Sequence, residues 1–139
     1  MPADPHSLMS STPDLSIVVV SYNTRGLLLD CLRSVFEETG AIRFDVVVVD
    51  NDSQDGTVPA IRAQFPGVKV IANPDNRGFS KAVNQALAVS TGRHVLLLNS
   101  DTIVPAGAID RLIAQDLHQI AGKGADPCRL GSVMGVFLQ

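Results

Sequence analysis

The chain has 139 residues, a length typical of one domain with a single core. Apolar residues make up 45% of it, charged residues 18%, and the net charge is −3, so neither nucleic acid nor an anionic lipid surface is a favoured partner. No apolar run approaches the roughly 20 residues of a bilayer-spanning helix, and the two cysteines, Cys31 and Cys128, predict neither a disulfide framework nor a zinc site. We expect a cytoplasmic protein, or one peripheral to the membrane, without a transmembrane segment.

The first predicted elements are two strands joined by a helix. Residues 1–14 are rich in proline and serine and are predicted to form a flexible tail. Leu15 to Ser21 and Phe44 to Val49 are continuous apolar runs, typical of parallel strands covered on both faces. Gly40 is expected to end the helix between them in the left-handed conformation. The apolar positions at helical spacing are Leu28, Cys31, Leu32, Val35 and Phe36.

A second helix and strand follow the same order. Thr57 is predicted as the N-cap of a helix that turns Ile61 and Phe65 inward. Pro66 and Gly67 interrupt the pattern, and Val68 to Ala72 is predicted to be a strand.

The third and fourth helices complete the alternation. The third ends near Gly92, and the strand His94 to Asn99 follows it. The fourth begins near Pro105. The predicted inward residues are Phe79, Ala82, Val83, Ala86 and Leu87 on the third helix, and Ile109, Leu112, Ile113, Leu117 and Ile120 on the fourth.

This alternation predicts an α/β fold, a mostly parallel sheet with helices on both faces. Residues 15–120 are interpreted as one domain. Residues 121–139 diverge from the pattern, and Val133 to Leu138 is expected to form at most a short strand.

Polar segments follow each of the four central strands. Ligands of open α/β sheets bind beyond the carboxyl ends of the strands, so these segments are expected to line one site. A dinucleotide-binding turn is disfavoured, because the first turn contains only Gly26 instead of Gly-x-Gly-x-x-Gly. The segments comprise residues 21–24, 50–57, 73–78 and 99–102.

Four stretches together resemble the family-2 glycosyltransferases of GT-A fold, a Rossmann-like nucleotide-diphospho-sugar transferase fold. The element Asn99-Ser100-Asp101 resembles the rhamnosyltransferase-like variant of the family's Asp-x-Asp motif. The resemblance implies a donor that is a nucleotide-diphosphate sugar and an acceptor that is a glycan or lipid-linked, as in polysaccharide synthesis. The four stretches are residues 16–23, 48–57, 76–85 and 96–102.

The resemblance assigns the nucleotide to the ends of the first two strands. Asp50 would accept a hydrogen bond from the base, whereas a role confined to satisfying turn amides is the alternative. Asp52 would reach the nucleotide, while Ser53 and Asp55 shape turns and cap a helix. Ser21, Tyr22 and Asn23 would flank the nucleotide, and a half-buried core position is the alternative for Tyr22.

Asp101 is implied as the ligand of a divalent cation, Mg²⁺ or Mn²⁺, that offsets charge on the leaving pyrophosphate. The alternative for Asp101 is an Asx turn. Asn99 would contact the substrate where other members carry a second carboxylate. Asn76, Arg77 and Gly78 open a helix and would meet phosphate, with a solvated Arg77 as the alternative.

The general base of an inverting transfer is not identified, since the family places it downstream of the Asp-x-Asp element. The chain ends 38 residues after Asp101, so a donor-binding N-terminal half, truncated before the acceptor half, is the expectation. A non-catalytic nucleotide-binding module or remnant is one alternative. A nucleotidyltransferase is another, disfavoured by the absence of a glycine-rich basic loop between Ser21 and Gly26. The oligomeric state is not predicted.

Overall fold

The computed structural model describes residues 12–114 and the backbone of residues 133–136. The predictions for residues 1–11, Leu117 and Ile120 lie outside the described residues. A further helical segment, residues 108–114, is called α4. The other elements are β1 (Leu15–Ser21), α1 (Arg25–Glu38), β2 (Phe44–Asp50), α2 (Thr57–Gln64), β3 (Lys69–Ala72), α3 (Phe79–Val89), β4 (His94–Asn99) and β5 (Val133–Val136).

The strands form one parallel sheet with the order β3-β2-β1-β4-β5. β1 lies between β2 and β4, and its Leu15 is opposite both Phe44 and His94. The predicted parallel sheet is confirmed, and β5 corresponds to the short strand expected near residue 133.

Helices cover both faces of the sheet, as predicted. On one face, Ile17 and Val19 of β1 pack in a core with residues of α1, α2 and α4. On the other face, Val18 packs with Ala82 and Ala86 of α3. Each fully buried valine or isoleucine stabilises the fold by roughly 1.5–3 kcal/mol. The continuous apolar run of β1 is thus explained by burial on both sides.

Gly92 does not end a helix, because α3 already ends at Val89. A Cβ atom at Gly92 would lie 2.4 Å from the main-chain nitrogen of Ser16. The Gly92 amide instead donates a 2.8 Å hydrogen bond to Ser16 Oγ. Glycine is therefore required there by the close approach of two backbones.

Two helix ends differ from the prediction. Thr57 is the first residue of α2, and Gly56 precedes it as N-cap with φ 78°. α1 ends at Glu38, its C-cap Thr39 is extended with φ −120° and ψ 112°, and Gly40 is not among the residues with positive φ. The chain continues directly toward β2, so no left-handed residue is needed.

Two aromatic residues predicted to face inward are only about half buried. Phe36 is 44% exposed and packs beside the core, with its ring centroid 5.4 Å from that of Phe44 and 5.6 Å from that of Phe65. Phe79 is 55% exposed, since it begins α3 at the open end of the sheet. Helical periodicity gives the side of a helix but not how far along it the sheet extends.

Candidate functional site

The strand order creates a crevice at the carboxyl ends of β1 and β4. Connections from β1 pass to β2 on one face, whereas α3 leads from β3 to β4 on the other face. Such a switch point is where open α/β sheets bind ligands. Thr24 Oγ1 donates a 3.3 Å hydrogen bond to Ser100 Oγ across it. The predicted site segments after β1 and β4 therefore meet.

Asp50 ends β2 and is only 2% exposed. Its Oδ1 accepts hydrogen bonds from Ser21 Oγ at 3.1 Å and Ser53 Oγ at 2.6 Å. Its Oδ2 accepts one from the Ser53 amide at 2.8 Å. Asp50 thus binds the loop after β2 to the end of β1, and this arrangement includes the turn amide named by the alternative interpretation. Oδ2 retains a lone pair, so its role toward a base stays a prediction.

Asn23 joins the loops after β1 and β2. Its backbone is left-handed, with φ 53°, which asparagine tolerates better than most residues. Its amide donates to Ser53 Oγ at 2.8 Å, and its side-chain oxygen accepts from the Gln54 amide at 2.8 Å. Asp52, also at positive φ, accepts from Gln54 Nε2 through its carbonyl and its carboxylate. Both predicted nucleotide contacts therefore hold the rim in shape.

Asp55 caps two helices at once. Its Oδ2 accepts from the Arg25 amide at the start of α1, at 3.0 Å, and its Oδ1 accepts from both the amide and the hydroxyl of Thr57. The hydroxyl bond from Thr57 is the main cause that lowers the pKa of the Asp55 carboxyl below 3.8. A carboxylate at a helix N-terminus is stabilised by the helix dipole. The predicted capping role of Asp55 is confirmed.

Tyr22 lies on the rim just past β1 and is 49% exposed. It is therefore not a core residue. An exposed aromatic ring beside the crevice can offer a face or an edge to a flat ligand.

Asn99, Ser100 and Asp101 form the turn after β4. The Thr102 amide donates to the Asn99 carbonyl at 3.1 Å, which closes the turn, and Cys31 donates to the same carbonyl at 3.7 Å. Burial, and to a smaller extent the charge of Asp101, raise the pKa of Cys31 to about 12, against a weaker opposing effect of the Thr102 amide. A neutral thiol therefore supports the turn.

The carboxylate of Asp101 is exposed and accepts no hydrogen bond from any residue within 12–114. An Asx turn, which needs such a bond, is not formed. Hard cations such as Mg²⁺ prefer oxygen ligands, so Asp101 and the side-chain oxygen of Asn99 suit one chemically. The described residues contain no group of three or more His, Cys, Asp or Glu that could hold a metal. Phosphate oxygens and water would therefore have to complete the coordination.

The loop before α3 carries Asn76, Arg77 and Gly78. Gly78 has φ 84°, a backbone conformation that glycine adopts more readily than other residues. Its amide donates to Asn76 Oδ1 at 2.9 Å. Arg77 Nε lies 3.0 Å from Asp75 Oδ1 in an exposed ion pair, which stabilises little and can open for a ligand.

Sequence reasoning missed an amide network behind this loop. Asn51 and Asn73 are 3% and 5% exposed, and Asn73 Nδ2 donates to Asn51 Oδ1 at 3.0 Å. Gln85 of α3 pairs with Asn73. Asn51 lies in the stretch 48–57, whereas for Asn73 the sequence signal was its position just after a predicted strand.

The sequence model described as Glycosyl transferase family 2 matches residues 16–118. The chain belongs to this family. This confirms the family indicated by the four stretches, and the GT-A fold is confirmed by similarity to solved structures.

Named relatives give the extent of the similarity. The succinoglycan biosynthesis protein ExoO of Rhizobium meliloti (strain 1021) is 34% identical over 107 residues, 76% of this chain and 30% of ExoO. Mannosyltransferase PcManGT from Pyrobaculum calidifontis, solved with GDP-Man and Mn²⁺, matches with TM-score 0.63 at 31% identity, covering 75% of this chain and 31% of that one. Residues 1–349 of S. aureus TarS, solved with UDP-GlcNAc, match with TM-score 0.67 at 28% identity, covering 76% of this chain and 32% of that one.

This family-2 chain thus spans about a third of the length of ExoO and of the two solved chains, whose covered shares are 30%, 31% and 32%. Among the helices within residues 12–114, none has the length and hydropathy needed to cross a membrane.

Proposed function

We propose that this chain binds the nucleotide-diphosphate sugar donor of a family-2 glycosyltransferase, which transfers the sugar to a glycan or lipid-linked acceptor. The observation that carries the proposal is the exposed Asp101 carboxylate beside the crevice between β1 and β4. GDP-Man with Mn²⁺ in PcManGT and UDP-GlcNAc in TarS support a donor of this class.

The nucleoside lies at the ends of β1 and β2 in this proposal. Tyr22 packs against the base or ribose, because it is exposed at the rim. Asp50 accepts from a base N–H through its free lone pair, and its three existing hydrogen bonds hold it in place. Ser21, Asn23 and Asp52 flank the nucleotide.

The donor diphosphate lies between the turn after β4 and the start of α3. Asp101, with Asn99, holds the divalent cation, Mg²⁺ or Mn²⁺, which acts as a Lewis acid on the leaving pyrophosphate when bound. α3 packs across β1 and β2, so its N-terminus lies beside their carboxyl ends, where amides attract phosphate. Asn76, Arg77 and Gly78 shape this N-terminus, and Arg77 adds a positive charge.

The position of the Asp55 carboxylate disfavours a nucleotidyltransferase. Dinucleotide and P-loop sites place phosphate at the helix after the first strand. Here Asp55 already accepts from the first amide of α1, and a phosphate at that point would meet a like charge. The start of α3 is the better anion site, because its N-cap is Gly78, which has no side chain to occupy the first amides.

Three finer assignments belong to the same proposal. Asn99-Ser100-Asp101 favours the rhamnosyltransferase-like subgroup, and the chain supplies the N-terminal donor-binding half. The proposed setting is the cytoplasm or the membrane surface facing it. No described carboxylate within residues 12–114 is assigned as the general base, so a non-catalytic donor-binding module is the remaining alternative.

Calorimetric titration with UDP-, dTDP- and GDP-sugars, with and without Mn²⁺, tests the proposal. We expect one donor to bind more tightly with Mn²⁺, and Asp101→Asn to abolish this metal dependence. Asp30→Asn is the matched control, because Asp30 is an exposed carboxylate that pairs with Arg33 on α1. A folded protein that binds none of the donors, or equal metal dependence in Asp101→Asn, would refute the proposed site.

A further inference from the structure

The segment between β3 and α3 is closed by a two-way amide pair. Asn73 Nδ2 donates to Gln85 Oε1 at 2.8 Å, and Gln85 Nε2 donates to Asn73 Oδ1 at 2.8 Å. Asn73 directly follows β3, whereas Gln85 lies in the second turn of α3. The pair therefore fixes where the chain leaves the sheet relative to the helix that it enters.

Asn51 extends this pair to the residues that begin α3. Its Oδ1 accepts from Asn73 Nδ2 at 3.0 Å and from the Arg77 amide at 3.4 Å. Its Nδ2 donates to the Gly78 carbonyl at 3.2 Å. Both hydrogens of Asn73 Nδ2 are thus used, one toward Asn51 and one toward Gln85.

The two asparagines at the centre of the network are buried. Asn51 and Asn73 are 3% and 5% exposed, and their backbones are tied to the sheet, because the Asn51 amide donates to the Ser21 carbonyl and the Asn73 amide to the Asp50 carbonyl. A buried polar group that loses its partner costs free energy, so the amides have one favoured arrangement. Removing the Gln85 amide leaves the Asn73 oxygen and one of its hydrogens unpaired.

We propose that Gln85 is a positioning residue that sets affinity for the donor diphosphate through Asn73 and Asn51, which hold the backbone at Arg77 and Gly78. The inference rests on the proposed function, since that function places phosphate at the start of α3. Gln85 itself does not touch the donor. The nucleoside, bound at the ends of β1 and β2, lies outside the influence of Gln85.

The test compares a nucleoside diphosphate with its parent nucleoside on the Gln85→Met variant, which keeps side-chain length but makes no amide hydrogen bonds. We expect affinity for the diphosphate to fall about tenfold or more, equivalent to about 1.4 kcal/mol. Affinity for the nucleoside, followed by NMR titration, should stay within about twofold, since a precise position matters only for the groups it orients. Hydrogen exchange at the Arg77 amide should accelerate, while exchange in β1 stays unchanged.

Gln64→Met is the matched control, because Gln64 is an exposed glutamine in the last turn of α2, and it should change none of these quantities. Gln85→Glu keeps the acceptor for Asn73 Nδ2 but not the donor, so it should give an intermediate loss and serves if Gln85→Met does not fold. An equal loss for nucleoside and diphosphate, or no loss, would overturn the inference while leaving the proposed function intact. If the unaltered protein binds no nucleoside diphosphate, the proposed function fails and this inference fails with it.

Discussion

Replacing Asp50 by asparagine and by alanine separates its structural role from its role in binding. In Asp50→Asn, a flipped amide can keep its oxygen toward the Ser53 amide and donate through its NH₂ group to the hydroxyls of Ser21 and Ser53, which can also accept. The main loss is the charge of the acceptor. We expect the free energy of unfolding to fall by about 1 kcal/mol, near the difference between hydrogen bonds to charged and to neutral groups.

Asp50→Ala removes all three hydrogen bonds at a position that is 2% exposed. A buried donor without a partner costs about 1–3 kcal/mol, and the two serine hydroxyls can rotate to other partners, so a loss of about 3 kcal/mol is expected. Urea unfolding, followed by circular dichroism, measures both variants against the unaltered chain.

Donor binding gives the second half of the comparison. In this arrangement the asparagine oxygen still faces the base N–H but is a neutral acceptor, so Asp50→Asn should weaken donor binding about fivefold, equivalent to about 1 kcal/mol. Equal binding by Asp50→Asn and the unaltered chain would show that Asp50 only supports the loop. A loss of stability as large in Asp50→Asn as in Asp50→Ala would refute the rearrangement argued from the two serines.

Two further predictions concern titrating groups. Because the pKa of Cys31 is raised to about 12, its thiol should react with iodoacetamide at pH 8 far more slowly in the folded protein than in urea, as peptide mass spectrometry would measure. The free energy of unfolding should also fall above pH 9, where only the unfolded thiol ionises. An equally fast reaction in the folded protein would contradict the burial of Cys31. The pKa of Asp55 is lowered from 3.8 mainly by the Thr57 hydroxyl, so the carboxylate contributes fully to the free energy of unfolding above pH 3.8 and loses this contribution as the pH falls through the pKa of the folded state. In urea titrations, the stability advantage of the unaltered chain over Asp55→Asn should therefore shrink below about pH 4. A difference that stays constant with pH would exclude the charge of Asp55 as its source.

The apolar runs predicted the strands well because burial on both faces leaves a continuous signal. β1 and β4 begin and end at the predicted residues, and β2 extends by one residue to Asp50. Helix faces were less predictable at the ends, where Phe36 and Phe79 project past the sheet. The sequence pattern does not show which turns of a helix lie over the sheet and which extend past its edge.

The sequence predicted which residues lie at the carboxyl ends of the strands, but not which residues they form hydrogen bonds with. Asn23 contacts Gln54, and Asn73 contacts Gln85, only because β1 lies beside β2 and α3 folds back across the sheet. Strand order is a property of the whole chain and has no local signal. Gln85 is the last residue of the stretch 76–85, but nothing in that stretch predicts its contact with Asn73, because the contact depends on the strand order.

The N-termini of α1 and α3 face groups of opposite charge, and this difference bears on the proposed chemistry. Both α1 and α3 begin at the carboxyl edge of the sheet, and the first amides of each helix lack partners within the helix. At α1 the protein supplies its own anion, the Asp55 carboxylate. At α3 it supplies the left-handed Gly78 and the cation Arg77 instead. An incoming diphosphate would therefore be repelled from the start of α1 and attracted to the start of α3. Its charge would then lie between α3 and Asp101. A divalent cation would be needed there, because the diphosphate and the Asp101 carboxylate are both negatively charged.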